Sequence, residues 1–559
     1  MNLSLEDSAV AALLQQAEAY HRDGDLEAAL RHYRHVLAIR PDDVEALQGA
    51  GIVCGRGGHF EKARDFFSAA CAAQPDKVAA HFNRAKALQA LADLPGALAG
   101  YGRAIALNPT FAEAYNNRGN VLKDLACHQE ALADFDRANA LRPDLLAASV
   151  NRGVALMGLG RHEEALENYR RLLAVRADIA ELWNNGGNAL KALGHLEDAA
   201  AYYRRAALLR PDYPDAWHNF GIVRNVLGAF DHAVAAYERV IALKPDHAEA
   251  RFDLGLLKLL LGDYQQGWPL HEWRWKAGGE RQVSCQPPQR LWLGDAPLAG
   301  RTILLHSEQG MGDVIQFVRY APMVVAQGAK VLLAAPNALT TLLRSLRCEF
   351  TLLDGDRPVP QFDLHCPLMS LPLAFKTRID VIPAQVPYLS ADAVRRQRWR
   401  ERLGNKRRPR IGLVWSGNPR HRNDQQRSLP LHLLAPLLTL DFEFHALYRT
   451  VREEDRTALE RWPQLIRHEH DLADFADTAA LIAELDRVIS ADTAVAHLAG
   501  AMGAPVWILL PFVPDFRWLT GRSDSPWYPT ARLFRQHRRG DWPGVVEEVR
   551  RALLNPMHI

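Results

Sequence analysis

PTFAEAYNNRGNVLKDLACHQEALADFDRANALR, residues 109–142, is one turn of a 34-residue pattern. Its Asn117 has counterparts at Asn83, Asn151, Asn185 and Asn219, with no slippage between them. Its Pro109 has counterparts at Pro41, Pro75, Pro143, Pro211 and Pro245, and only the slot at Ala177 breaks that series. A small residue recurs at Gly51, Ala85, Gly119, Gly153, Gly187, Gly221 and Gly255, and a second at Ala29, Ala63, Ala97, Ala131, Ala165, Ala199 and Ala233. Four residues after the second comes an aromatic: Tyr33, Phe67, Tyr101, Phe135, Tyr169, Tyr203 and Tyr237. Such a period predicts helical hairpins. Small residues let two helices approach, the aromatic fills the gap between neighbouring hairpins, and proline ends the second helix. A hairpin cannot bury its own apolar face, so each needs its neighbours.

The pattern resembles the tetratricopeptide repeat family, with seven full repeats and a degenerate eighth over residues 1–275. The resemblance implies a right-handed superhelix, an α-solenoid whose first helices line a concave groove. The ladder asparagines fall on that first helix. Gln15, Gly49 and Asp253 occupy the slot in the first, second and eighth repeats, and Asn120 and Asn188 add a second amide. An amide that only caps or pads its hairpin is one reading. The other is recognition, because a side-chain amide both donates and accepts and so pairs with peptide backbone of any sequence. The ladder resembles that of the O-GlcNAc transferases, which implies a protein or peptide acceptor held along Asn83, Asn117, Asn151, Asn185 and Asn219.

The chain of 559 residues is long enough for several domains, and 48% apolar with 24% charged residues suits a soluble protein. A net charge of +2 argues against nucleic acid or an anionic membrane as the main partner. Six scattered cysteines, Cys54, Cys71, Cys127, Cys285, Cys348 and Cys366, read as reduced thiols in a cytoplasmic protein. The N-terminus shows no secretion signal, and apolar runs such as Val506 to Leu510 are far short of the ~20 residues that span a bilayer. Oligomeric state is not encoded legibly.

Register is lost at Gly267, where Trp268, Trp273 and Trp275 follow within a few residues and read as a cap on the repeat array. A junction, 276–300, contains Gly278 and Gly279 and reads as a loop. Beyond it the period changes. Short apolar runs at Thr302–His306, Lys330–Ala334 and Phe350–Leu353 alternate with helical stretches. A second set falls at Ile411–Trp415, Phe442–Leu447, Val488–Ser490 and Val506–Leu510. Strand–helix alternation predicts parallel sheets, here two doubly wound α/β lobes at 301–390 and 391–559. Val381 to Leu389 reads as a linker, Arg395 to Arg410 as a solvated helix, Trp518 to Tyr528 as a cover for the cleft edge, and Trp542 to Leu554 as a helix returning to a lobe.

Three stretches follow predicted strands, where ligands of such sheets bind. The first runs His306-Ser307-Glu308-Gln309-Gly310-Met311-Gly312-Asp313. The second is Ser416-Gly417-Asn418-Pro419, followed by His421, Asp424, Arg427 and Ser428. The third runs from Asp492 to Pro505, with a helix N-terminus suited to phosphate. Together they resemble the heptosyltransferase-like group, glycosyltransferase family 9, over roughly 300–540. The resemblance implies a GT-B fold and a metal-independent sugar transferase with no cofactor beyond its nucleotide-sugar substrate. Gly312-Asp313 matches the family's acceptor-side segment, and Asp492, Thr493 and His497 match its D-T-G-x-x-H-L-A motif at the diphosphate. Ala494 stands where that motif has glycine. Ser416, Gly417 and Asn418 match the donor-side loop, and Arg427 is the candidate for diphosphate charge. Asp313 is the candidate base; its place near a helix N-terminus favours a positioning role as well. The resulting expectation is transfer to a protein in the repeat groove. The alternatives are transfer to a glycan or lipopolysaccharide with the repeats docking a partner, and a non-catalytic repeat scaffold.

Overall fold

The computed structural model describes residues 2–278, 289–353, 359–420 and 423–555. Gly279, Cys285 and His421 lie outside the described residues. The chain forms two compact units, Met1–Val223 and Arg224–Ile559.

The first unit is an α-solenoid of antiparallel helix pairs, beginning with Asn2–Asp23 and Leu26–Ile39. The quoted stretch gives Ala112–Asp124 and His128–Leu141. The recurring aromatic lies on the early small residue of its own hairpin. A Cβ on Gly119 would fall 2.7 Å from the Phe135 ring, and one on Gly153 would fall 2.4 Å from Tyr169. Tyr33 also reaches the next hairpin, lying 2.3 Å from a Cβ built on Gly49, the ladder slot of the second repeat. The ring therefore fills the space within and between hairpins. At the proline slot the carbonyl is also used. Those of Pro75, Ala177, Pro211 and Pro245 accept from His81, Trp183, Trp217 and Arg251, each six residues on, so Ala177 keeps one function of the series.

A further period links the helices of each hairpin. Gly24, Gly58, Gly160, Gly194, Gly228 and Gly262 have positive φ, and Ala92 (φ 60°) and Ala126 (φ 58°) hold the same slot in the third and fourth repeats. The amide after each slot bonds five residues back, as Asp93 N to Leu88 O and Arg161 N to Leu156 O, which closes the preceding helix with a left-handed residue. Alanine in that conformation is strained.

The second unit opens with Phe230–Leu243 and Ala248–Leu260, the last full repeat helices. The eighth repeat's second helix is short, Tyr264–His271, and carries Pro269 before a 3₁₀ turn, Glu272–Trp275. Trp268 is 2% exposed, sits edge-on to Phe317 and Phe516, and donates to Thr377 O at 3.2 Å. Trp527 donates to Tyr264 Oη at 3.1 Å. The cap read from the tryptophans thus contacts both lobes.

The first lobe holds a parallel sheet of β1 Arg290–Leu291, β2 Thr302–His306, β3 Lys330–Ala334, β4 Thr351–Leu353 and β5 Leu364–Pro367, in the order β1-β5-β2-β3-β4. The second holds β6 Arg410–Val414, β7 Glu443–Ala446, β8 Ile466–Arg467, β9 Arg487–Ala491, β10 Val506–Leu510 and β11 Ala531–Arg535, in the order β11-β10-β9-β6-β7-β8. Every pairing between these strands is parallel. The order reverses between β2 and β5 in one sheet and between β6 and β9 in the other. Crevices open at such switch points.

Several readings of the sequence change. The junction supplies the edge strand β1. The run from Arg395 is not simply solvated: in the helix Ala393–Leu403, Arg395 bridges Asp474 and Asp477, and Arg396 and Arg400 hold Glu484, while Arg410, at the start of β6, is buried on Glu443. Tyr388, in the linker, donates its amide to Ala501 O at 3.0 Å. Trp518, Trp527 and Tyr528 are wholly buried instead of covering an edge. Cys54, Cys71, Cys127, Cys348 and Cys366 are free thiols. No helix among the described residues is long and apolar enough to cross a membrane.

Two substitutions of opposite sign test this account of the repeats. Ala126→Gly relieves left-handed strain and raises stability by about 1 kcal/mol. Gly153→Ala lowers it by roughly 1–3 kcal/mol although alanine is the better helix former, because the new methyl meets the Tyr169 ring. Urea unfolding of the full chain, followed through the helical signal, reads both.

Candidate functional site

The loops after β2 and β6 and the helix after β9 emerge at the two switch points, and their residues come together. Gly312 lies in the helix Met311–Phe317, and a Cβ there would fall 2.9 Å from His497 Cδ2 and 3.5 Å from Ala494 Cα. His497 and Ala494 lie in the helix Ala494–Ala501. Glycine at 312 lets these two helices, one from each lobe, meet almost backbone to backbone. The glycine that the resemblance puts at 494 stands instead on the facing helix.

Asp313 Oδ2 accepts from Gly310 N at 2.8 Å, and Oδ1 accepts from Arg517 Nη2. Arg517 is 6% exposed. It also donates to Gln316 Oε1 at 2.6 Å and to Asp515 Oδ1 at 2.7 Å. Burial opposes its charge, but Asp515, Asp313 and Asp492 hold the guanidinium protonated more firmly than usual. Asp313 is thus a held carboxylate that closes the two lobes on each other.

Asp492, at the end of β9, is pushed up to about 6 by burial and by Asp515, while Arg427 and Arg517 pull the other way. The Trp518 indole N–H pulls weakly the same way and lacks a full hydrogen bond. His497 is held well below its ordinary range by burial and by Arg517, Arg319 and Arg427, so it is neutral. Its Nδ1 lies 3.0 Å from Tyr528 Oη, its Nε2 3.8 Å from Asp492 Oδ1, and its ring stacks on Trp518 at 5.2 Å. A proton on Nε2 faces the carboxylate and leaves Nδ1 to accept from the phenol. Thr493 Oγ1 lies 3.1 Å from Ser490 Oγ.

Arg427 donates to the Asp492 carbonyl at 3.0 Å, which ties the loop after β6 to that after β9. A Cβ on Gly417 would fall 2.7 Å from its Nη2. Arg452 donates to Gly417 O and Asp424 Oδ2, each at 2.5 Å. Ser428 Oγ joins Gly417 N and Asp424. The Nε of Arg427 and of Arg452 are buried without a hydrogen-bond partner. Ser416 N donates to Tyr448 Oη at 2.5 Å, as does Trp415 N at 2.6 Å, so that amide pair is already filled. Asn418 is exposed and turns back to accept from Arg420 N at 3.0 Å.

Gly312, Asp313, Gly417, Arg427, Asp492 and His497 therefore share one cluster, with Ser416 and Thr493 beside it and Asn418 at the solvent. Arg517, Asp515, Tyr448 and Arg452 escaped the sequence reading. The signal for Arg517 was its setting, Asp515-Phe516-Arg517-Trp518, since an arginine flanked by aromatics is buried only when paired. No group of three or more His, Cys, Asp or Glu suited to a metal occurs among the described residues.

In the repeat unit the five ladder asparagines are all half-buried. Their amides are not equivalent. Asn151 Nδ2 donates to Asn116 Oδ1 and Asn219 Nδ2 to Asn184 Oδ1, each at 3.1 Å, while Asn117 Oδ1 accepts from Asn116 Nδ2. Buried Asn116 and Asn184 thus staple successive repeats. Among the described residues, no side-chain hydrogen bond holds Asn83 or Asn185.

Models described as tetratricopeptide or TPR repeats match residues 8–76, 93–125, 118–181, 150–216 and 220–266. The N-terminal ~270 residues are tetratricopeptide repeats. Protein FlbA of Caulobacter vibrioides is 27% identical over 322 residues, 52% of each chain, so this chain spans about half the length of that relative. A tetratricopeptide repeat protein from Parabacteroides merdae is 17% identical, with a TM-score of 0.39 over 45% of this chain and 99% of that one. YrrB, described as a TPR protein with an unusual peptide-binding site, is 24% identical, with a TM-score of 0.28 over 33% and 95%.

Asp492 makes stability depend on pH. Below about pH 4 folded and unfolded chains both carry its proton; between roughly 4 and 6 only the folded chain does; above 6 neither does, and the folded chain bears a buried charge. Its contribution to stability therefore falls as pH rises through 4–6. Asp492→Asn matches wild type near pH 4 and exceeds it at pH 7 by on the order of 2 kcal/mol, read from urea midpoints across that range. In the repeats, Asn116→Ala costs about 1 kcal/mol, while Asn83→Ala and Asn185→Ala stay within roughly 0.5 kcal/mol of wild type in the same measurement.

Proposed function

We propose that the chain is a metal-independent glycosyltransferase that moves a sugar from a nucleoside-diphosphate donor to a hydroxyl of a protein bound by the repeats. One observation carries the reading: motif loops from the switch points of two parallel sheets meet in a single polar cluster. Arg427 and Arg452 and the first amides of the helix Ala494–Ala501 suit the donor diphosphate. Asp313, on the facing lobe, suits the acceptor. The acceptor hydroxyl gives its proton to the Asp313 carboxylate, or to water that Asp313 orients, and its oxygen bonds to the anomeric carbon. The bond from that carbon to the diphosphate breaks, and the diphosphate leaves with the electron pair. Held by Gly310 N and Arg517, Asp313 suits orientation as well as proton transfer.

Asn83 and Asn185 keep their amides available for an extended polypeptide, which favours a protein acceptor. A second reading, a docking scaffold without catalysis, draws on the fact that both Asp313 oxygens and the Ser416 amide are already engaged within the chain.

The test is donor turnover by the purified chain with a panel of uridine, guanosine and adenosine diphosphate sugars. Catalysis predicts hydrolysis or transfer that falls roughly 10²–10³-fold in Arg427→Ala and by at least that much in Asp313→Ala. Replacing Asn83 and Asn185 together by alanine lowers transfer to polypeptide and spares donor hydrolysis. Equal silence of wild type and Asp313→Ala, with partner binding retained, supports the scaffold.

A further inference from the structure

The loop between β2 and the helix Met311–Phe317 is fastened at three points. Ser307 N donates to Ala334 O at 3.1 Å, and Gly310 N is capped by Asp313 itself. The third point is Glu308, whose side chain is 1% exposed and is gripped by Arg274 from the 3₁₀ turn that closes the repeats. Arg274 Nε donates to Glu308 Oε2 at 3.0 Å and Nη2 to Oε1 at 2.9 Å. Its remaining N–H groups go to Ser370 Oγ at 2.7 Å, Glu272 Oε1 at 2.5 Å and His271 O at 3.3 Å. Trp275 lies 4.7 Å from the guanidinium. All five donors of this buried arginine are in use. Ser370 belongs to the segment after β5, so Arg274 joins both loops of the first lobe's switch point.

We propose that Arg274 is a positioning residue for Asp313, fixing the loop Ser307–Gly310 so that the carboxylate faces the second lobe. The role assigned to Asp313 rests on the transferase reading; the fixing of the loop does not. Glu308 and Glu272 both face Arg274. Without the guanidinium the buried Glu308 carboxylate confronts that of half-buried Glu272, with Asp313 close enough to add to the repulsion. Burial pushes the Glu308 carboxyl up, Arg274 pulls it down, and Glu272 and Asp313 push it further up. The loop then has to move or Glu308 to take a proton. Lysine restores the charge but carries three donors on one nitrogen and cannot grip Glu308 at both oxygens while reaching Ser370. The end of the repeat array would thus be part of the transfer machinery as well as a cap.

Hydrogen exchange of the full chain tests the fixing of the loop. Arg274→Lys speeds exchange of the amides at 307–313 at least tenfold and leaves β10 unchanged. If that variant does not fold, Glu308→Gln carries the test, with an increase of three- to tenfold. Wild-type exchange at 307–313 in the folded variants overturns the proposal. With the diphosphate sugar that wild type turns over, Arg274→Lys lowers kcat at least tenfold and keeps the donor KM within twofold. An unchanged kcat beside faster exchange overturns the positioning role. No turnover by wild type overturns the transferase reading and with it the role of Asp313, while the exchange result still decides whether Arg274 fixes the loop.

Discussion

Gly312 has no side chain, and His497 lies where one would be. Much of the two-sheet region depends on this contact. It sets two short helices from different lobes against each other, and so brings the loop after β2 to the loops after β6 and β9. A methyl at 312 would push them apart and separate Asp313 from Arg517. The same closeness explains why His497 is neutral. It is enclosed by aromatic rings and faced by Arg517, Arg319 and Arg427, so a further positive charge there would be desolvated and repelled. An imidazole held neutral can stack and hydrogen-bond without repelling the guanidiniums that the cluster needs.

The repeats were legible because their constraint is local and recurs. The strands that stood out were continuous apolar runs, as in VWILL at Val506–Leu510, where a parallel strand is buried on both faces. Those that escaped have mixed composition for tertiary reasons. Leu364–Pro367 is buried throughout, yet reads LHCP because His365 meets His306 across the sheet. Ala531–Arg535 reads ARLFR because Arg532 stacks on Trp507 and Arg535 serves the carbonyls of Trp518, Leu519 and Arg522. The left-handed slot from Gly24 to Gly262 escaped the sequence reading, because Ala92 and Ala126 interrupt its glycines.

The site was legible by half. Glycines and carboxylates after strands announce themselves through their neighbours in sequence. Their partners do not, because Arg517 stands 204 residues from Asp313 and Arg274 stands 34 from Glu308. The asparagine ladder shows the converse limit. Its spacing is perfect, yet Asn151 and Asn219 bond an asparagine 35 positions earlier, Asn117 bonds its neighbour Asn116, and Asn83 and Asn185 bond neither.

Four buried arginines explain how a half assembled from so many pieces holds together. Arg274 ties the closing turn of the repeats to the first lobe, and Arg410 ties the start of β6 to β7 and to Leu403 O and Gly404 O. Arg319 leaves the first lobe to reach Trp527 O at 2.8 Å and Tyr388 Oη at 2.9 Å, and Arg517 returns from the second to Gln316 and Asp313. An ammonium could not replace them. It offers three donors from one point and holds its water more tightly, whereas a guanidinium spreads five donors in a plane and lies against aromatic faces. The aromatics of these segments, Trp275, Tyr388, Trp527, Tyr528 and Phe516, supply those faces. The buried arginines and the aromatics around them are therefore one device: the rings exclude water, and the guanidiniums, so enclosed, join backbone and carboxylates that the chain order keeps far apart.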